Sequence, residues 1–311
     1  MKLNRLSTFI TATTVTTLVG LFGAVTPALA ATVQLIGLTD SNSLVLFNPD
    51  DPTRTRSVAV TGVEGNLLGI DVRPANGLLY GITDTNDIYT IDFRTGAASK
   101  VSSLSPIEFE GGNQSGFDFN PVPDRLRLVG SNDQNLRINV DTGAIADRFP
   151  DTPGFQPDGN LAYDDEDSNA GVNPNITAAA YTNSFAPSPD PTRMTQLFGI
   201  DSALDVLVLQ NPPNDGTLMT IGSLGVDFDV VGGFDILSDG MGGNVAYAAS
   251  NSTLYNINLS DGSANTLGVI GDESVQLVGL AATTVPEPAT GAASLLGLAG
   301  LFFVKRVTRK A

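Results

Sequence analysis

Short apolar or alternating runs of residues, separated by turn residues, fill the chain between residues 32 and 284. Gly, Pro, Asn and Asp mark the breaks between the runs, which is typical of short β-strands joined by tight turns. Apolar positions in this part do not recur every three to four residues, the spacing of an amphipathic helix. The pattern therefore predicts an all-β body.

The runs recur as a repeated unit. The tripeptides at 69–71 (Gly-Ile-Asp) and 116–118 (Gly-Phe-Asp) are 47 residues apart, and the Thr-Gly turns at 95–96 and 142–143 keep the same offset. Gly-Phe-Asp returns at 233–235. Each unit contains four short runs, and four strands in about 40 to 50 residues are typical of a β-propeller blade. We place the first strands at 68–72, 115–119, 160–164 and 233–237, and the centres of the third strands at Ile91, Ile138, Ile200 and Ile257.

A fifth unit is divided between the two ends of the body. The runs at 35–40, 44–48 and 56–62 supply three strands, and 277–281 supplies the missing first strand. Closing one blade with strands from both ends holds the ring together, because no terminal blade is then free to separate. We therefore predict a five-bladed β-propeller. The ring would have six blades if the long segment 159–224 contained an additional pair of hairpins.

The first 30 residues are typical of a secretory signal peptide. Lys2 and Arg5 give a positive start, an apolar, Thr-rich stretch covers 9–25, and Ala28 and Ala30 form an A-x-A cleavage pattern. We expect signal peptidase to cleave after Ala30 and the protein to be exported. The alternative is a membrane helix that is never cleaved.

Residues 285–311 have a complementary layout. Pro286, Glu287 and Pro288 precede an apolar run at 289–304, and a basic tail closes the chain. The run is shorter than the about 20 residues of a typical span, but it is usable as a membrane anchor with its basic flank in the cytoplasm.

The combination of the Pro-Glu-Pro triplet, the Gly-rich apolar run and the basic end resembles the bacterial PEP-CTERM sorting signal. This resemblance implies a protein that is held transiently in the inner membrane and processed by an exosortase-like protease. Release to the cell surface or to an exopolysaccharide matrix would follow. The alternative is a plain anchor that is never processed. Either way, the membrane is a partner only through this segment.

Composition narrows the chemistry of the body. The 311 residues include no Cys and no His, which excludes disulfides, thiolate zinc sites and a Ser-His-Asp triad. The net charge of the full chain is -17. Residues 1–30 and 285–311 contain six of the 16 basic residues and one of the 33 acidic residues, so the body at 31–284 carries a charge of about -22. Such a charge argues against nucleic acid as a partner. It favours divalent cations or cationic partners, or serves solubility alone.

Four segments of the body resemble one bacterial family. They are 68–74 (LGIDVRP), 116–127 (GFDFNPVPDRLR), 177–183 (TAAAYTN) and 208–217 (VLQNPPNDGT). The family is known as domain of unknown function 4394, and the similarity extends over nearly all of 32–284. The resemblance implies a fold, and it implies that the protein is exported. It implies no activity and no catalytic residues.

The recurring Asp is the main candidate for chemistry. Asp71, Asp118, Asp164 and Asp235 occupy equivalent places in four predicted first strands, and the fifth unit has Ala281 there. First strands line the channel of a propeller, so four inward carboxylates would suit calcium, which binds six to eight oxygen atoms. The alternative is that each Asp bonds nearby backbone amides and fixes a turn. The acidic run at 164–167 lacks the register of a calcium loop and is expected to be a solvated loop.

The leading hypothesis is an exported, non-enzymatic propeller that binds an exopolysaccharide or envelope partner. The rival is an extracellular hydrolase of saccharide or ester that uses two carboxylates or calcium. A third hypothesis is a scaffold stabilised by a cation. A deep pocket with converging acids and shifted pKa values would favour the hydrolase, whereas acids dispersed among turns would count against it.

Overall fold

Twenty-one β-strands form in the part of the chain that the computed structural model describes, residues 31–111 and 114–286. They make five sheets, the five blades of a β-propeller, which confirms the all-β prediction and excludes a sixth blade within these residues. The helical structure in the same ranges is one short 3-10 turn at Pro213–Asp215. No helix there is long and apolar enough to cross a membrane. The predicted signal peptide at 1–30 and residues 287–311 of the predicted sorting signal lie outside the described residues.

The closing blade joins the two ends of the body. Its strands, from the channel outward, lie in the order β21-β1-β2-β3, and β21 pairs with β1 along the full length of both. This arrangement confirms the predicted closure. The strands are β1 (Ala31–Leu38), β2 (Ser43–Asn48), β3 (Asp51–Ala59) and β21 (Gly279–Pro286).

Three blades each use four consecutive strands, with the first strand innermost. The first blade contains β4 (Leu67–Val72), β5 (Leu79–Thr83), β6 (Asp87–Ile91) and β7 (Ala98–Ser103). The second contains β8 (Ser115–Asn120), β9 (Arg125–Gly130), β10 (Asn135–Asn139) and β11 (Ala144–Ile145). The fourth contains β17 (Gly232–Ser238), β18 (Asn244–Ser250), β19 (Thr253–Ile257) and β20 (Ala264–Val269).

The third blade departs from the prediction. Its strands are β12 (Ala162–Tyr163), β13 (Ile176–Tyr181), β14 (Leu197–Asp201), β15 (Val206–Gln210) and β16 (Thr217–Ser223), in the order β12-β16-β15-β14-β13. The innermost strand is β13, so the predicted first strand at 160–164 is wrong. Only Ala162 and Tyr163 of that segment form a strand, and they pair in parallel with β16 at the outer edge. Ile200 consequently lies in the second strand of its blade and not in the third.

Glycine in the repeated tripeptide allows the innermost strands to approach one another closely. A Cβ atom on Gly69 would lie 2.7 Å from the Cβ of Phe117, and one on Gly116 would lie 2.6 Å from the backbone nitrogen of Ala179. The residue after each glycine is buried between blades: Ile70, Phe117 and Phe234 are 1 to 5% exposed. Five clusters of buried apolar side chains form the core. The compact unit runs from Ala31 to Pro286, two residues beyond the predicted body.

Candidate functional site

Three of the four predicted aspartates meet in the central channel. Asp71, Asp118 and Asp235 come from β4, β8 and β17, and one carboxylate oxygen of each lies within 4.8 Å of the others. They are 4%, 1% and 4% exposed. We refer to these three side chains as the channel carboxylate cluster. The repeated tripeptide therefore identified all of its members.

Asp164 is not part of the cluster. It follows β12 at the outer edge of the third blade, is partly exposed, and accepts a hydrogen bond of 2.9 Å from the backbone N–H of Glu166. The position that corresponds to the channel aspartates in this blade is Ala180, because the N–H of the next residue, Tyr181, is the one that bonds Asp118. The third blade, whose first strand was misplaced, therefore lacks a channel carboxylate, as does the closing blade with Ala281.

Each channel carboxylate accepts hydrogen bonds from backbone N–H groups of innermost strands. One oxygen of Asp71 and one of Asp235 bond the N–H of the following residue, and the second oxygen bonds the equivalent N–H in the next blade around the ring. Asp118 bonds only the N–H in the next blade. The five donors and their distances are Val72 at 2.5 Å, Phe119 at 2.9 Å, Tyr181 at 3.2 Å, Ile236 at 2.6 Å and Ala282 at 2.5 Å.

This arrangement satisfies one inward N–H from every blade with only three side chains. The channel edge of an innermost strand has no neighbouring strand to accept its N–H groups, and an unpaired buried N–H is costly. Two blades have alanine at the Asp position, Ala180 and Ala281. The blades that follow these two in the ring would therefore lack an acceptor for their inward N–H. In those blades Asp235 and Asp71 accept the N–H of the next residue in their own strands, Ile236 and Val72. The cluster links the blades to one another.

Burial raises the pKa of all three carboxyl groups above their ordinary value. The pKa of Asp235 is raised by burial to about 6. The pKa of Asp118 is raised well above its ordinary value, first by burial and then by the negative charges of Asp71 and Asp235. A side-chain hydrogen bond between Asp118 and Asp235 raises the pKa of Asp118 and lowers that of Asp235. These shifts favour a protonated carboxyl group within the cluster, with Asp118 as the group that holds the proton.

A cavity of about 240 Å³ opens above the cluster at the end toward which the innermost strands run. Asp71 and Asp235 contribute to its lining, together with polar and apolar side chains from the third, fourth and closing blades: Ser184, Phe185, Leu237, Ser238, Thr283 and Thr284. We call it the mouth cavity. At the opposite end the channel leaves only about 10 Å³ between Gly69, Gly116, Gly233 and Gly279, which is room for one water molecule.

The loop between β13 and β14 forms one side of the mouth cavity, and the sequence analysis did not single it out. The Arg193 guanidinium lies 3.8 Å from the centre of the Phe185 ring and bonds the carbonyl of Pro187 at 2.8 Å. The N–H of Ser184 bonds the Ser238 hydroxyl at 3.0 Å, which attaches the loop to the fourth blade. Three prolines, at 187, 189 and 191, mark the loop as irregular, but they do not indicate a cavity.

A second polar cluster lies between the second and third blades, and Arg127 and Asp158 at its centre are fully buried. The Arg127 guanidinium bonds Asp158 at 2.7 Å, and Arg137 bonds the same carboxylate at 2.7 Å. Arg127 also reaches the Tyr181 hydroxyl at 3.3 Å and the Asn214 side chain at 2.8 Å. These bonds attach the segment after β11 to both blades. They account for the burial of Asp158.

The geometry meets one condition of the hydrolase hypothesis and fails another. Acids with raised pKa values converge beneath a cavity, as a hydrolase requires. All three carboxylates, however, are nearly inaccessible to solvent and accept backbone N–H groups. The bonding to backbone amides agrees with the structural alternative, although the amides lie in neighbouring blades as well as nearby in sequence.

The fold and the channel define the class of this protein as a five-bladed β-propeller closed at its centre by carboxylates. The model of the family described as "Domain of unknown function (DUF4394)" matches residues 43–281, and the chain belongs to that family. A comparison with curated proteins found no match.

Two solved structures are similar to this chain at low identity. One is a structural genomics protein of unknown function from Bacteroides thetaiotaomicron VPI-5482, with 18% identity and a TM-score of 0.43; the match covers 82% of this chain and 63% of that one. Another is virginiamycin B lyase from Staphylococcus aureus, with 10% identity, a TM-score of 0.39 and coverage of 79% and 76%. Neither similarity says anything about the function of this chain.

Proposed function

We propose that this protein is an exported, non-enzymatic β-propeller that binds a component of the cell envelope or extracellular matrix through its mouth cavity. Signal peptidase would remove 1–30, and the segment after the body would hold the protein in the inner membrane. An exosortase-like protease would then release it to the cell surface or the exopolysaccharide matrix. The signal-like and sorting-like sequences support this route.

The observation that carries the non-enzymatic part is the bonding of the channel carboxylate cluster. A general base or a nucleophile needs a lone pair directed at its substrate. Here both oxygens of Asp71 and of Asp235 accept backbone N–H groups, and Asp118 bonds Tyr181 and Asp235. The floor of the mouth cavity is therefore hydrogen-bonded within the protein and suits recognition better than catalysis.

The size of the mouth cavity fits a part of a larger partner. Its 240 Å³ is below the about 300 to 1,000 Å³ of pockets that enclose a drug-sized molecule. Hydroxyl groups of Ser184, Ser238, Thr283 and Thr284 and the ring of Phe185 line it. Hydroxyls and one aromatic ring match the polar edges and apolar faces of a saccharide, so we propose the end of an exopolysaccharide chain as the ligand.

A cavity-filling variant tests this function. Ala186 is exposed and lines the mouth cavity, so Ala186→Trp places an indole ring in it. Co-sedimentation of the purified protein with exopolysaccharide from the producing cells should weaken about tenfold or more, as expected when a pocket is blocked. Met219→Trp is the matched control, because Met219 is 43% exposed on an outer strand and does not line the cavity. Equal binding by both variants and the parent protein would refute the proposal.

The second candidate is a hydrolase or scaffold that depends on calcium. The convergence of three acidic oxygens within 4.8 Å favours it. It requires the carboxylates to exchange backbone N–H groups for a cation, since calcium needs six to eight oxygen ligands. This candidate predicts that calcium protects the parent protein against unfolding and that chromogenic glycosides or esters are hydrolysed only when Asp118 is intact.

A further inference from the structure

Both ends of the body lie at the mouth of the channel. The strand β21 runs from Gly279, at the narrow end of the channel, past Thr283 and Thr284, which line the mouth cavity. It ends at Pro286, which pairs with Ala31, the first residue of β1. Residue 31 directly follows the predicted cleavage site, so the predicted signal peptide and the predicted sorting signal are both connected to the propeller at one face.

Very little chain separates this face from the apolar segment. Glu287 and Pro288 alone lie between Pro286 and the run at 289–304. Three residue steps extend at most about 11 Å. Whenever residues 289–304 are inserted in a bilayer, the mouth of the channel must therefore lie within about that distance of its apolar layer.

Exposed apolar side chains lie at this same face, three in loops and Val245 at the start of β18. They follow innermost strands that run toward the mouth, and they include the two most exposed large apolar residues of the described chain. The side chains are Leu78, Met194, Met241 and Val245, with exposed fractions of 49%, 82%, 89% and 42%. Methionine is flexible and adapts to irregular apolar surroundings.

We propose that in the membrane-anchored form the mouth face is turned toward the lipid bilayer, with Met194 and Met241 in contact with its surface. This inference rests on the anchoring step of the proposed function. The short connection brings the face to the membrane, and the apolar side chains supply the contact. Charge does not supply it, because the body carries about -22 and would be repelled by anionic lipid. The surface it fits is therefore a zwitterionic bilayer.

The orientation has a consequence for binding. A polymer cannot enter a cavity that faces a membrane at so short a distance, so the mouth cavity becomes accessible to large partners only after the segment beyond Pro286 is cut. Processing would then release the protein and expose its binding site in one step.

Position-specific quenching tests the orientation on the full-length chain. The chain contains no Cys, so Met241→Cys and Val230→Cys each carry a single fluorophore. Val230 is 47% exposed and precedes β17 at the opposite face, which makes it the matched control. In phosphatidylcholine vesicles with a quencher on the lipid headgroup, we expect fluorescence at position 241 to be quenched about twofold or more above that at 230, because only the mouth lies within reach.

Two outcomes separate the orientation from the anchoring. Equal quenching at both positions in vesicle-bound protein would overturn the orientation and leave the anchor standing. Failure of the full-length chain to float with the vesicles would overturn both. A flexible insertion of about 12 Gly and Ser residues between Pro286 and Glu287 should lower quenching at position 241 to the level at 230, since it lets the body move away. Persistent quenching would contradict the role of the short connection.

Discussion

Each residue of the Gly-apolar-Asp tripeptide has a different structural role. Gly69 allows two innermost strands to approach, Ile70 fills the core, and Asp71 bonds one N–H in its own strand and one in the next blade. The side chain of Asp118 differs from those of Asp71 and Asp235, because it accepts only one backbone N–H and donates to another carboxylate. Equivalent positions in the sequence therefore differ in hydrogen bonding.

This difference predicts opposite responses to the same substitution. In Asp118→Asn the amide can accept from Tyr181 and donate to Asp235, so every bond of the protonated acid is retained. In Asp71→Asn the amide NH2 faces a backbone N–H, and an unsatisfied buried donor costs about 1 to 3 kcal/mol. We expect Asp118→Asn to be more stable than Asp71→Asn by about that amount in urea unfolding at about pH 8. A more stable Asp71→Asn variant would contradict the assignment of the proton to Asp118.

Individual residues could be predicted only where a repeated motif marks them. The tripeptide identified Asp71, Asp118 and Asp235, since the same three residue types recur at the same place in a strand. Asp164 was included because it ends an apolar run, but that run is an outer strand of two residues. The N–H groups that the aspartates bond in neighbouring blades lie 47 to 63 residues away, and no local pattern indicates a contact between blades.

At the scale of elements, the closing blade was predictable and the third blade was not. Three strands at the start of the body and one strand at its end together make one four-stranded blade, and this pairing closes the ring. In the third blade the innermost strand contains Ala178, Ala179 and Ala180, whose small side chains hide its apolar character. A long irregular segment before it displaces the repeat, and only tertiary contacts show that the segment is anchored by Asp158.

Removal of the Asp158 carboxylate should uncouple this segment from the blades. Asp158→Ala leaves Arg127, 1% exposed, without its buried counter-ion, and breaking such a pair costs about 3 to 5 kcal/mol. Asp215→Ala is the control, since its ion pair with Arg148 is more exposed and pairs of that kind contribute about 1 kcal/mol or less. Urea unfolding of both variants measures the difference. Similar losses of stability would show that the buried pair does not anchor the segment.

For the whole molecule, the raised carboxyl pKa values make stability depend on pH. A group whose pKa is raised by folding stabilises the fold fully below its ordinary pKa, and this contribution is lost as pH rises through the raised value. For Asp235 that window runs from 3.8 to about 6. Asp141 acts in the opposite direction, because its hydrogen bond with Arg73 lowers its pKa, and its contribution is lost only as pH falls below the ordinary value.

We therefore expect the protein to be more stable at about pH 5 than at about pH 7.5, by about 1 kcal/mol from Asp235, because only the upper part of its window lies above pH 5. Urea unfolding at the two pH values measures this difference. The Asp118→Asn variant is the control, because removing one titratable carboxyl group from the cluster should reduce the dependence. Greater stability of the parent protein at the higher pH would contradict a proton held within the channel.

The central claim is that the channel carboxylates bond the backbone of the ring and do not hold a cation or perform chemistry. Thermal unfolding of the parent protein and of Asp118→Asn, each with calcium and with a chelator at about pH 8, tests it most directly, because a bound ligand raises Tm. We expect the same Tm for each protein in both conditions, with Asp118→Asn at least as stable as the parent. A calcium-dependent rise in the Tm of the parent protein that is absent from Asp118→Asn would contradict it.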